Sequence, residues 1–146
     1  MFDSMMPLET LIRAAGWGQL ALVAASGAIP HVLHWRAELV HVSTLTRRLF
    51  WVYAAYILSF NLGFGLVSAF APQWLLDRTP LGAAVCAAIA FYWGARLVIQ
   101  FACFGGIEKP AGGRYRAAEA ALVTLFVFLT VTYAAAFLSR WWSFPG

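Results

Sequence analysis

Four long stretches of this chain carry no Asp, Glu, Lys or Arg, or only one, and little else that it can fold into is compatible with them. They are Ala14–Leu33 (20 residues), Leu49–Ala71 (23), Leu81–Phe104 (24, interrupted by Arg96) and Ala120–Leu138 (19). About 20 apolar residues cross the hydrocarbon core as one helix, so each stretch is long enough to span. Barrel strands would be half as long and strictly alternating. A soluble bundle would show a polar face on each helix, and these stretches have almost none. The composition agrees: 62% hydrophobic and 11% charged, against roughly 45–50% and 25% in soluble domains. The expectation is an all-α, four-helix transmembrane bundle, one integral membrane domain over residues 1–146.

The first stretch is the least apolar, being rich in Ala and Gly and holding Gln19 and Pro30. Close packing through a small-residue face, Ala14, Gly18, Ala21 and Ala25, is the expected compensation. Pro30 would kink this span or mark where it meets the interface. Between spans one and two, residues 34–48 place Trp35, Leu39, Val42 and Leu45 at helical spacing. That pattern suggests a short amphipathic helix on the membrane surface. The second loop, Pro72–Pro80, is bounded by prolines, and the third, Gly105–Arg116, contains two Gly-Gly pairs, a flexible turn. Trp51, Tyr53, Trp74, Tyr115, Trp141 and Trp142 stand near span ends, as headgroup-level aromatic belts require.

Basic residues set the orientation. Arg36, Arg47 and Arg48 with Lys109, Arg114 and Arg116 fall in loops one and three; Arg13, Arg78 and Arg140 fall on the other side. Six against three puts loops one and three in the cytoplasm and both termini outside, in a bacterial cytoplasmic (inner) membrane. Asp3 and Glu9 precede the first stretch without a basic run, so a removable signal peptide is not expected. The net charge of +4 comes without a basic, aromatic-interleaved run, which argues against nucleic acid as a partner. The two halves show no repeat of the kind that marks inverted-repeat transporters.

Arg96 carries the most chemical information. It lies about 12 Å of helix from the cytoplasmic end of span three, and an intramembrane arginine marks either a structural ion pair or a ligand site. Tyr92 and Gln100 share its helical face, with Trp93 and Cys103 beside it. The same half of the membrane holds Ser26 and His31, Tyr53 and Tyr56, and Glu119 with Thr124; Glu119 is a candidate partner for Arg96. The ligand-binding set is therefore Arg96, Gln100, Tyr92, His31 and Glu119. In span two, Ala55, Ser59 and Gly63 form a small-residue stripe for helix packing, and Asn61 is read as an interhelical hydrogen-bonding group.

No metal site is assigned. His31 and His34 are three apart and are the candidate haem ligands, but no other span holds a histidine, so haem would need a second copy or a partner subunit. Cys86 and Cys103 are roughly 25 Å apart along one helix, out of disulfide reach. No Walker loop, G-x-S-x-G, H-E-x-x-H or C-x-x-C is present, and no catalytic residue is assigned. In size and four-span layout the chain resembles small bacterial membrane proteins such as the DoxX-like group and the membrane-anchor cytochrome b subunits. The cytochrome pattern of histidines on separate helices is missing, and no functional residue carries over.

Three functions follow from this reading. The first is a non-enzymatic subunit or accessory of a membrane assembly, packed against itself or a partner membrane subunit. The second is a binding or transport module for an anionic or amphipathic ligand, a lipid headgroup or a quinone, centred on Arg96. The third is a haem-binding redox subunit using His31 or His34. No cofactor is required by the sequence, and the bilayer is the one partner common to all three.

Overall fold

A computed structural model describes residues 5–104 and 112–141. Asp3, Lys109, Trp142 and most of the third loop lie outside the described residues. Among those described, every regular element is helical: α1 (Met5–Val32), α2 (Trp35–Glu38), a 3-10 turn (Leu39–His41), α3 (Thr44–Phe70), α4 (Pro72–Leu76), α5 (Pro80–Phe104) and α6 (Gly113–Trp141).

Three of these helices are long and apolar enough to cross a membrane: Thr44–Phe70, Pro80–Cys103 and Gly113–Ser139, with mean hydropathy 1.5, 1.7 and 2.2. The chain is therefore embedded in a membrane. The remaining long stretch falls within α1, whose 28 residues give about 42 Å of helix. It does not reach the apolarity of the other three.

Local chemistry explains the boundaries. α3 begins because the Ser43 side chain caps it, its Oγ accepting from the Thr46 amide at 3.3 Å. α3 stops where Pro72 forbids a helical Ala71, which takes φ −134° and ψ 49°. Pro72 then occupies the first turn of α4, and Pro80 opens α5, positions where a missing amide proton costs nothing. Thr79 Oγ1 accepts from the Gly82 amide at 3.1 Å and caps α5.

The connector after α1 departs from expectation. The amphipathic helix read over residues 34–48 becomes a four-residue helix, a 3-10 turn and the capped start of α3. Two features break it: Ser43 restarts the helix, and His34 takes a left-handed conformation, φ 51°. Trp35 folds this connector back onto α3, edge-on to Phe50 at 5.1 Å and near Trp51 at 6.5 Å.

The long helices form two antiparallel pairs, α1 with α3 and α5 with α6, with α1 touching α6 and α4 packed against α1, α3 and α5. The α1–α3 contact is close enough that a Cβ on Gly16 would fall on the Ala69 backbone. α1's inner face is Ile12, Ala15, Gly16 and Gln19, the i, i+3, i+4, i+7 spacing of a buried helical stripe. The expected face is rotated from this: Ala14, Ala21 and Ala25 are exposed, and only Gly18 of that set meets a neighbour, the Leu125 side chain. On α3 the buried residues are Asn61, Gly65, Ser68 and Ala69. Ala55, Ser59 and Gly63 are exposed and not packed on α1; the Ser59 hydroxyl donates to Ala55 O at 2.8 Å, and a Cβ on Gly63 would meet open space.

The dense core gathers at the end shared by the start of α1, the end of α3, α4 and the start of α5. Ile12, Ala15, Leu75, Cys86, Ile89, Leu129, Tyr133 and Ala136 are buried there together with Trp93 and Phe126. Elsewhere Phe60, Phe70, Phe91 and Phe101 are more than half exposed on the outer surface, as lipid-facing residues should be.

Candidate functional site

Toward the opposite end the two helix pairs part and enclose a cavity of about 820 Å³. Phe64 and Tyr92 touch edge-to-face at 5.8 Å and mark where α3 and α5 still meet. Beyond them lies the cavity, walled by the end of α1, the first half of α3, the second half of α5 and the first half of α6. Its volume lies in the range of small-molecule sites.

Aromatic rings make the floor. Trp93 stacks on Phe126 at 5.4 Å, and Tyr92 stands edge-on to Trp93 at 5.2 Å. Trp35, Phe50 and Trp51 line the end nearest the α1–α3 connector. Trp93 is held from below: its Nε1 donates to Gln19 Oε1 at 3.3 Å. Gln19 Nε2 in turn donates to Tyr133 Oη at 2.6 Å, and the Tyr133 and Ser68 hydroxyls are hydrogen-bonded to each other at 2.5 Å. Gln19, Ser68 and Tyr133 are fully buried. The network ties α1, α3, α5 and α6 together and fixes the floor ring through its one polar atom.

Sequence reasoning treated Gln19 as a weakness of the first span and did not single out Ser68 or Tyr133. The signal was there: each is a hydrogen-bonding side chain inside an uncharged stretch, and hydrocarbon offers it no water. Which of them would meet was not readable from order along the chain.

Of the expected ligand set, the structure brings Arg96, Gln100, Tyr92 and His31 to one cavity, and adds Arg36, His34 and Asn61. Glu119 does not line it; it stands half-buried on α6. Arg36 and Arg96 line the wall with His31 and His34, and among the described residues no Asp or Glu does. Arg96 is exposed to the cavity side and makes no ion pair or hydrogen bond among the described residues. An arginine at membrane depth costs roughly 2.5–3.5 kcal/mol on insertion scales, and among the described residues no anion pairs with it to offset that. Asn61 is buried, and its Oδ1 has no hydrogen-bond partner among the described residues.

The histidines are placed differently from a shared helical face. His31 is in the last turn of α1, whereas His34 lies past its end in the left-handed conformation. Among the described residues no group of three or more His, Cys, Asp and Glu stands together to hold a metal ion. Cys86 is buried with its thiol donating to Leu75 O at 3.4 Å, and Cys103 is exposed.

A second, smaller groove of about 530 Å³ lies on the outside of α3 and α5, lined by Tyr56, Ser59, Phe60, Gly63 and Phe64 among others. It holds no charged residue. No protein-family model, curated protein or solved structure matches this chain, so its function is argued from the cavity.

Proposed function

We propose that this protein is a membrane module that binds an amphipathic molecule with an anionic head in the cavity between its helix pairs. The observation that carries the reading is Arg96, a cation at membrane depth in an aromatic cavity, with no ion pair and no lining carboxylate among the described residues. A guanidinium offers paired donors to carboxylate or phosphate oxygens, Gln100 one turn away adds a neutral donor, and Trp93, Phe126 and Tyr92 offer an apolar bed to the rest of the molecule. Arg96 holds the head, and the aromatic floor holds the body.

In this reading α1 is the fourth span of a bundle that forms one membrane domain over the chain. Its length and the Gln19 bonds to α5 and α6 support this. The connector Trp35–His41 lies at the cytoplasmic surface of a bacterial inner membrane with Arg36, Arg47 and Arg48, and both termini lie outside, as the distribution of basic loops favours.

Intrinsic tryptophan fluorescence tests the binding claim, because Trp35, Trp51 and Trp93 line the cavity. Dodecyl phosphate added to the purified protein should change the emission saturably, and dodecanol should not. Arg96→Gln should weaken the response about tenfold, the worth of one charged hydrogen-bonded contact. An equal response in Arg96→Gln at unchanged thermal stability refutes the assignment.

A second reading, a subunit that packs against a copy or a partner, draws on the exposed small residues Ser59 and Gly63 that line the smaller groove. Gly63→Leu would then shift the oligomeric mass in detergent without altering the dodecyl phosphate response.

A further inference from the structure

Resting on the binding reading above, we infer that the occupant is a phosphate-headed lipid of the surrounding leaflet, admitted sideways between α3 and α5 rather than from water. Three observations lead there. The first is depth: the α3 wall of the cavity runs from Phe50 to Asn61, about 16 Å of helix. One leaflet of hydrocarbon is about 15 Å deep. The cavity is thus one leaflet tall, with its charges toward the connector end and its aromatic floor near the midplane.

The second is the opening. α3 and α5 meet at Phe64 and Tyr92 and are not closely packed along the cavity. Tyr53 and Ile57 on the α3 side are 64% and 53% exposed, and Arg96 on the α5 side is exposed as well. The gap therefore faces the bilayer, and its rim carries the Arg96 guanidinium. A lipid sliding through this gap keeps its chain in hydrocarbon throughout and brings its anion to Arg96.

The third is charge. Arg96 and Arg36, with His31 and His34, line one space, and among the described residues no carboxylate joins them. Two guanidinium forks and two imidazoles exceed what a single carboxylate can accept, and they suit the several oxygens of a phosphate. A phosphomonoester, which carries the greater negative charge, should hold more firmly than a phosphodiester, and a zwitterionic head least.

The experiment uses the full chain in lipid nanodiscs of phosphatidylcholine. A small fraction of brominated-chain phosphatidic acid, phosphatidylglycerol or phosphatidylcholine is included, and quenching of tryptophan emission is read. Trp17 and Trp74, which are exposed, report bulk lipid equally in all three, so the cavity signal is the excess over the phosphatidylcholine disc. The expected order is phosphatidic acid above phosphatidylglycerol above phosphatidylcholine. Arg96→Gln should abolish most of the excess, Arg96→Lys should retain part of it, and excess inorganic phosphate should not compete. Equal quenching by the three lipids, with dodecyl phosphate or inorganic phosphate still binding in an Arg96-dependent way, overturns the lipid assignment and leaves the binding module standing. Loss of Arg96-dependent binding for every probe, in a variant whose thermal unfolding matches wild type, overturns both.

Discussion

If the buried network places α1 inside the bundle, Gln19 and Tyr133 should be energetically coupled across 114 residues of sequence. Tyr133→Phe removes one hydroxyl and no carbon, so no cavity is made in a site that is fully buried. The lost hydroxyl bonds both Gln19 Nε2 and Ser68 Oγ. Interhelical side-chain hydrogen bonds in membranes average about 0.6 kcal/mol and reach about 1.7 kcal/mol. Two of them give an expected loss of about 1–3 kcal/mol for Tyr133→Phe. Gln19→Leu keeps the volume and removes the bonds to Trp93 and Tyr133, with a loss of similar size. The double variant closes a thermodynamic cycle, and the Gln19–Tyr133 term should be roughly 0.6–1.7 kcal/mol. Unfolding in mixed dodecylmaltoside and dodecyl sulfate micelles, followed by tryptophan emission, measures all four corners. Thr124→Ala is the control, because that hydroxyl is exposed and donates to Ala120 O of its own helix. It should move stability by less than about 0.5 kcal/mol. Strict additivity of Gln19→Leu and Tyr133→Phe would refute the placement of α1 against α5 and α6.

Other outcomes follow from particular contacts. Gly16→Ala should destabilise by about 1–3 kcal/mol because its methyl group meets Ala69 backbone. Gly63→Ala, facing open space, should be neutral or gain up to about 1 kcal/mol from helix propensity; the same micelle unfolding separates them. His34→Gly should stabilise the chain by roughly 1 kcal/mol, since a left-handed residue with a Cβ carries that cost, and His34→Val should do the reverse. Thermal melts in detergent decide between these. Trp93→Phe keeps an aromatic ring on Phe126 but leaves Gln19 Oε1 without its indole donor; it should lower stability by about 1–2 kcal/mol while dodecyl phosphate binding survives. Finally, if α1 crosses the membrane, Thr10→Cys and Arg36→Cys in a background with Cys86 and Cys103 replaced should react with a membrane-impermeant maleimide from opposite sides of right-side-out vesicles. Labelling of both from one side would remove α1 from the spans.

The helical class and the three most apolar spans were legible in the sequence because both depend on length and composition alone: a run of about 20 uncharged residues has one solution in hydrocarbon. Arg96 was legible for the same reason, since a charge in such a run stands out against its own helix, and Tyr92 and Gln100 followed from helical spacing. What the sequence could not give was rotation. Ala14, Ala21 and Ala25 repeat at helical spacing as well as Ile12, Ala15, Gly16 and Gln19 do, and only the approach of the Ala69 backbone to Gly16 selects the inner face. Likewise Ala55, Ser59 and Gly63 form a packing stripe in sequence yet stay exposed, because α3 turns Gly65, Ser68 and Ala69 to α1. The connector shows the competition of short-range signals: an amphipathic period over residues 34–48 lost to one capping serine and one left-handed histidine. The cavity itself is a tertiary product. It exists because α1 with α3 and α5 with α6 pack tightly at the α4 end and part at the other, which brings Arg36, His31 and Asn61 to Arg96 from helices far apart in the chain. The sequence by itself placed a cation in the membrane; the tertiary structure decided what surrounds it, because partners between helices depend on how each helix is turned and not on the order of its residues.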